Sequence, residues 1–192
     1  MQDIRFRLAN PSDAARIAAL HAASWRSAYR GIMPDTYLDE EIDTERETLW
    51  RARLNSPAND RLCVWLGEHG AELAGFACLL LDEEPFWGAC LDNLHVQPEL
   101  RGHGLGRQLF GRAVRWLLTV EPDWPIYLWV FEANEGARRL YDALRGQVVE
   151  RTIKDLPGNA RIPSLRYVWR DAVALLTELD CDSRSRHSGN EA

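Results

Sequence analysis

Lysine is nearly missing from this chain. Of its 23 basic residues only Lys154 is not an arginine. Genome composition accounts for such a bias, and guanidinium groups also grip phosphates bidentately. Cysteine is scarce too: Cys63, Cys78, Cys90 and Cys181 form no CxxC pair, and no histidine cluster offers zinc spacing. A disulfide framework and a structural metal are therefore not expected. The first three cysteines sit in apolar strand-like stretches, where a free thiol acts as a small buried hydrophobe. There is no run of about 18 apolar residues to span a membrane. The opening MQDIRFRLAN carries charge where a signal peptide needs an apolar core. A reduced, cytoplasmic protein is the expectation. No Gly-Lys-Ser/Thr exists anywhere, which excludes a Walker A loop. Positive charge is in deficit, with 29 acidic residues against 23 basic and a net charge of −6. That argues against general attraction to nucleic acid or anionic membrane.

What is present is the mix of a soluble globular protein: 192 residues, 46% hydrophobic and 27% charged. One domain over 1–180 is expected, with the polar stretch 181–192 as a frayed tail. Ile4, Phe6 and Leu8 alternate with arginines and predict a strand over 3–9. Asn10-Pro11-Ser12-Asp13 breaks it and caps a helix to about Tyr29. A second helical stretch runs from Pro34 to about Leu54. Strands follow at 61–67 and 72–81, joined by a turn over Glu68 to Ala71. Further strands are expected at 89–96 and 126–132. A helix over 104–120 lies between them. A helix from Asn134 to Leu144 is expected to stop at Gly146. Two last strands, 147–154 and 164–170, surround Pro157-Gly158-Asn159, and a short helix reaches Leu179. The order βααβββαβαββ gives an α/β (α+β) class, one mixed sheet with helices on its faces. Trp50, Trp65, Trp116 and Trp169 fall at apolar positions and are expected in the core.

The densest chemical signal is Val96-Gln97-Pro98-Glu99-Leu100-Arg101-Gly102-His103-Gly104-Leu105-Gly106-Arg107. It follows a strand and opens a helix. Alternate glycines let successive N–H groups aim at one spot, and the helix N-terminus adds unpaired donors and partial positive charge. The combination is a main-chain phosphate site. It is not the Rossmann GxGxxG, because Arg107 stands where the third glycine belongs.

The segment resembles the pyrophosphate signature Q/R-x-x-G-x-G/A of the GCN5-related N-acetyltransferases, through Arg101, Gly104 and Gly106. Leu94-His95-Val96-Gln97-Pro98 matches the family's L-x-V-x-P strand end. Asn134, Ala137 and Tyr141 fall on its N-x-x-A-x-x-x-Y helix. Ser24-Trp25-Arg26 through Tyr29-Arg30-Gly31 is similar to the substrate-side helices of many bacterial members. The resemblance covers about residues 3–170.

The resemblance implies a sheet splayed at its centre, with acetyl-CoA as co-substrate between strands 89–96 and 126–132. Main chain at Leu94, His95 and Val96 would bind pantetheine. The N–H groups of Gly102, His103, Gly104, Leu105, Gly106 and Arg107 would take the pyrophosphate, with Arg101, Arg107, Arg138 and Arg139 as candidates for the 3′-phosphate. Asn134 and Ala137 would hold the pantetheine arm, and Tyr141 would protonate the departing thiolate. Seven residues at about 100° each put Asn134 and Tyr141 on one helix face. A core aromatic with a tethered hydroxyl is the alternative for Tyr141. Some members carry a glutamate base five residues before the asparagine, and Trp129 stands there instead. Asp92 is the next candidate base; pleat parity puts it with Leu94 and Val96 on an apolar face, where burial would raise its pKa. A β-bulge would break that parity. His95 has the opposite parity and reads as a surface or second-layer side chain. Trp25, Tyr29, Tyr37, Trp87 and Trp129 would wall the acceptor pocket. The expected activity is direct transfer to a primary amine, favouring a small molecule, by a monomer or homodimer. A non-catalytic acyl-CoA-binding module and a peptide acetyltransferase remain open at this point.

Overall fold

The computed structural model describes residues 4–56 and 59–185. The alternating N-terminal stretch forms β1 (Ile4–Leu8). Asn10 then accepts from the Ser12 N–H at 2.9 Å, and the Asp13 carboxylate accepts from the Asn10 N–H at 2.8 Å. This reciprocal cap leads through one 3-10 turn into α1 (Ala14–Tyr29). The second helical stretch is present, but it starts with a wide π turn over Tyr37–Glu41 before α2 (Ile42–Leu54).

β2 (Leu62–His69) and β3 (Glu72–Leu80) form a tighter hairpin than expected, since Glu68 and His69 belong to the strand and only Gly70 and Ala71 turn. β4 (Ala89–Val96), α3 (Leu105–Val120), β5 (Ile126–Phe131) and α4 (Glu135–Ala143) follow. α4 does not stop on glycine in the left-handed position. The Gly146 N–H bonds to the Tyr141 carbonyl and the Arg145 N–H to that of Asp142, both at 2.9 Å, and the left-handed residue of this Schellman pair is Arg145 at φ 59°. Gly146 is there for space, because a Cβ would lie 2.6 Å from the Trp169 ring. β6 (Gln147–Leu156) and β7 (Ala160–Trp169) close the sheet. α5 (Ala172–Ser185) runs past Leu179, so 181–185 are helical rather than frayed; 186–192 lie outside the described residues.

The seven strands lie in the order β1-β2-β3-β4-β5-β7-β6, with only β4 and β5 parallel. α1 and α2 cover one face, where Ile17, Trp50, Phe76 and Cys78 pack together. α3, α4 and α5 cover the other, around Leu91, Phe110, Leu128 and Leu175. Trp50 and Trp169 are buried as expected, while Trp65 and Trp116 are partly buried against the core.

A charge network ties the start of α1 to the sheet. Arg7 bridges Asp13 at 2.7 Å and Glu68 at 3.0 Å, and Arg16 bridges the same two carboxylates. Burial alone would raise the Asp13 pKa, but the Arg7 hydrogen bonds and the Asn10 N–H outweigh it and hold Asp13 at about 2. A carboxylate held lower in the folded than in the unfolded chain stabilises the fold above its unfolded pKa of about 3.9 and loses that contribution as pH falls through the folded value. Asp13→Asn should therefore cost about 2 kcal/mol at neutral pH. It should also flatten the loss of stability between about pH 4 and pH 2. Denaturant melts at a series of pH values check this; parallel curves for the two proteins would contradict it.

Candidate active site

β4 and β5 pair at Ala89 with Ile126 and at Cys90 with Tyr127, and nowhere further. Both strands continue, held on their outer edges by β3 and β7. Between the arms 91–96 and 128–131 the inward backbone groups face no strand. The closed end of this V is pinned by Gly88. Its φ is 85°, and a Cβ there would stand 2.1 Å from the Pro125 carbonyl oxygen, which accepts from the Ala89 N–H at 2.9 Å. An unpaired backbone group is costly to bury, so the V suits an extended, amide-bearing molecule that completes the ladder.

At the open end stands the glycine turn. Gly102 and Gly104 take φ of 78° and 84°, and Gly104 caps α3 without a side chain. The first-turn amides of a helix have no carbonyl partner within it. Gly106 is helical, and a Cβ there would meet only Val96 Cγ2 at 3.8 Å. Glycine in a helix costs about 1 kcal/mol relative to alanine, and nothing inside the fold requires it at 106. Close approach of a ligand from outside would account for it. Several neighbouring side chains are held by the chain itself. Arg107 donates to the Glu178 carbonyl at 3.0 Å, Arg138 to that of Glu132 at 2.9 Å, and Arg139 pairs with Glu135. Arg101 Nε donates to the Val96 carbonyl at 3.2 Å, which occupies one main-chain acceptor expected for pantetheine. His103 Nδ1 lies 2.9 Å from the Arg101 carbonyl. Each of these four arginines thus already has a partner within the chain.

Asn134 caps α4, its Oδ1 accepting from the Ala137 N–H at 3.2 Å. Burial raises the pKa of the Tyr29 hydroxyl, with Asn134 acting against it. Tyr29 packs 4.6 Å from the Phe131 ring, at the end of β5. Tyr141 is buried, 5.6 Å from Tyr167 and 5.9 Å from Trp169 between ring centroids. Burial first, then Tyr29 and Tyr167, push its hydroxyl above the ordinary value.

The Acetyltransferase (GNAT) family model matches residues 20–146. The chain belongs to this family. Among its relatives, Probable N-acetyltransferase Rv2775 of Mycobacterium tuberculosis is 29% identical over 173 residues, 88% of this chain and 96% of that protein. The uncharacterised N-acetyltransferase YuaI of Bacillus subtilis is 27% identical over 179 residues, 92% and 99% of the two chains. The crystal structure of the PaiA N-acetyltransferase of Thermoplasma acidophilum, in complex with coenzyme A, has a TM-score of 0.64 at 21% identity. It covers 84% of this chain and 98% of that one, a likeness of fold.

In this GNAT chain the α1/α2 face of the V departs from several expectations. β4 carries a bulge: Cys78 pairs with Asn93 and Leu79 with Leu91, so Asp92 is the extra residue. The bulge turns Asp92 away from the apolar face that holds Leu94 and Val96 and toward α2. Asp92 is exposed and meets Arg53 at 2.6 Å, with Arg53 also 3.4 Å from Asn93. The expected burial of this carboxylate is absent. His95 faces α1, 4.7 Å from His21, and burial, then Arg101 and Arg46, push it down to about 3. His21 accepts from the Trp50 indole N–H at 3.1 Å and is likewise driven well down by burial. Both rings are neutral, second-layer groups. Tyr37 is fully buried, its hydroxyl held by Glu45 and by Arg46 at 3.0 Å, so it belongs to the core. Trp25 has the Arg46 guanidinium 4.4 Å above it.

Trp87 and Trp129 do stand on this face, but their rings are already covered. The buried Arg166 guanidinium lies 4.5 Å from Trp87, 5.1 Å from Tyr127 and 4.4 Å from Trp129, and pairs with Glu84 and Glu150. Trp129 Nε1 donates to Glu84 at 3.3 Å, returning a carboxylate to the place where the expected glutamate is missing. Burial would raise Glu84, but Arg166 and Trp129 hold it below its usual value. Arg53, Glu84, Lys154 and Arg166 carry no motif. The available sign was a charge inside an apolar strand, as in Ser164-Leu165-Arg166-Tyr167-Val168-Trp169. Among the described residues no group of three or more His, Cys, Asp and Glu is arranged to hold a metal ion, and no helix is long and apolar enough to cross a membrane.

The cradle makes opposite predictions for folding and binding. Gly106→Glu places a good helix former and a negative charge in the first turn of α3, which should leave the unfolding midpoint level or raised by up to about 1 kcal/mol of stability. Calorimetric titration with coenzyme A should show affinity down at least tenfold, about 1.4 kcal/mol. Unchanged affinity in the folded variant would contradict the cradle.

Proposed function

We propose that the protein transfers the acetyl group of acetyl-CoA to a primary amine of a small molecule by direct attack in a ternary complex. The observation that carries this is the V between β4 and β5, closed at Gly88 and opening on the main-chain cradle at 102–107. Such a site fits pantetheine along the arms and pyrophosphate on the helix N-terminus. The thioester then reaches the closed end, and the amine enters from the α1/α2 face.

Several groups support a cationic acceptor. Asp92 projects from the bulge two residues past the last β4–β5 pair, and Glu84 lies against Trp129. Nearby, Asp82 and Glu83 line a cleft with Arg53 and Arg61. These carboxylates attract an ammonium group, and Asp92 passes the proton of the attacking amine to water once Arg53 yields it. Covalent transfer through cysteine lacks a nucleophile at the V. Cys63, Cys78 and Cys90 are buried, with burial raising Cys63 and Cys90 to about 12 and Cys78 well above its usual value. Cys181 lies on α5, behind α3 on the opposite face.

Tyr141 is assigned to the leaving thiolate. Its raised pKa keeps the hydroxyl protonated at neutral pH. Transfer of that proton to a thiolate whose thiol has a pKa of about 8.5 is further uphill than for an ordinary tyrosine of about 10. The hydroxyl therefore acts by donating a strong hydrogen bond to the developing charge, in a dry site where such a bond counts most. Tyr141→Phe keeps the ring and its packing. Expected is a fall in kcat of roughly 10²–10⁴ with coenzyme A affinity unchanged. An amine panel with acetyl-CoA, read by thiol release, supplies the acceptor for this assay. A variant with wild-type turnover and a lower melting temperature would make Tyr141 a packing residue. Acetyl-CoA binding without turnover of any amine by the wild type would favour the binding-module reading.

A further inference from the structure

The near-absence of lysine gives its one exception weight. Lys154, on β6, extends its ammonium to 3.9 Å from the centre of the Trp129 ring. Trp129 lies on β5 only two residues past Tyr127, the last residue paired with β4. It shares a face with Tyr127, Trp87 and Cys90, the α1/α2 side of the V. A primary amine of the chain itself therefore rests beside the closed end of the V, on the side from which an acceptor enters. Most arginines in the molecule are tied to carboxylates, Arg166 on the same ring being held by both Glu84 and Glu150. Among the described residues no carboxylate lies within ion-pair distance of Lys154. A cation–π contact at a partly exposed site is weak, and Glu84 adds only a longer-range attraction, so the ammonium is left free to move. The four-carbon stem gives that amine freedom to swing.

We propose that Lys154 is a self-acetylation site, modified in the same molecule from bound acetyl-CoA. This rests on the acetyl-transfer reading above. In the step, the ammonium first gives one proton to solvent. The neutral amine attacks the thioester carbonyl, the C–N bond forms and the C–S bond breaks. The nitrogen loses its second proton as the coenzyme A thiolate gains one, so that an acetyl amide and free thiol result with no oxidant or other co-reactant. The product amide is neutral, which removes the cation from Trp129 and leaves Arg166 alone on that ring.

The test is peptide mass spectrometry of the purified full chain incubated with acetyl-CoA, alongside thiol release with an amine panel. One acetyl group should accumulate on the peptide carrying Lys154, with a rate constant independent of protein concentration. The rate should fall at least about tenfold in Gly106→Glu, which loses the donor cradle, and the Lys154→Arg peptide should gain nothing. Lys154 left unmodified by protein that releases thiol with an added amine would overturn the self-acetylation alone. Equal labelling of Gly106→Glu or of heat-unfolded protein would overturn it too, by making the reaction plain chemical acylation. An observed rate constant that rises with protein concentration would also overturn it, since one molecule would then be acting on another. No label together with no thiol release for any amine would remove this proposal and the transfer reading together.

Discussion

Two residues of parallel pairing organise this molecule. Ala89 and Cys90 bind β5, and then the strands part. The divergence follows from what surrounds it. Gly88 brings the start of β4 against Pro125 at a distance no side chain would allow. β3 and β7 draw the two arms outward, and the bulge at Asp92 adds twist to β4 at the point of departure. A sheet opened in its middle carries backbone groups without a strand partner, and a molecule with its own amides lying in the gap would offset that cost.

The two faces of the V divide the work. The α3 face is apolar and continuous, with Leu91, Leu128 and Val130 packed under α3, and it supplies rigidity. The α1/α2 face is a layer of aromatics and paired charges. Its rings are filled by cations of the chain, Arg46 over Trp25 and Arg166 with Lys154 over Trp129. Cation–π contacts and buried ion pairs keep these rings in place. The Arg7–Asp13–Arg16–Glu68 network matters here because it sets α1, and with it Tyr29 against Phe131.

Most elements were legible in the sequence because their signals are local. Alternation at Ile4, Phe6 and Leu8, the Asn10 cap, and the glycine turn before α3 each need only neighbouring residues. The cradle was legible for the same reason, as main-chain geometry dictated by glycine spacing. What failed depends on partners far along the chain. Asp92 carries the parity of Leu94 and Val96 until the register with β3 slips, and Arg53, 39 residues earlier, meets it only after folding. Tyr37 is aromatic in the expected segment, but it is fully buried and its hydroxyl answers to Glu45. The filling of Trp129 by Arg166 is a cross-strand pairing between β5 and β7, invisible without the sheet order. Arg145 in the left-handed position, with Gly146 displaced by Trp169, is another tertiary demand overriding a local rule.

The central claim is that coenzyme A completes the split sheet, and amide hydrogen exchange with and without it tests that claim most directly. Protection should appear along the β4 arm, 91–96, and in the turn 102–107, with smaller change at 128–131 and Asn134. The outer strands β1, β2 and β6 should be unaffected. Saturating coenzyme A that leaves exchange in 91–96 unaltered, or protects the outer strands instead, would contradict the account.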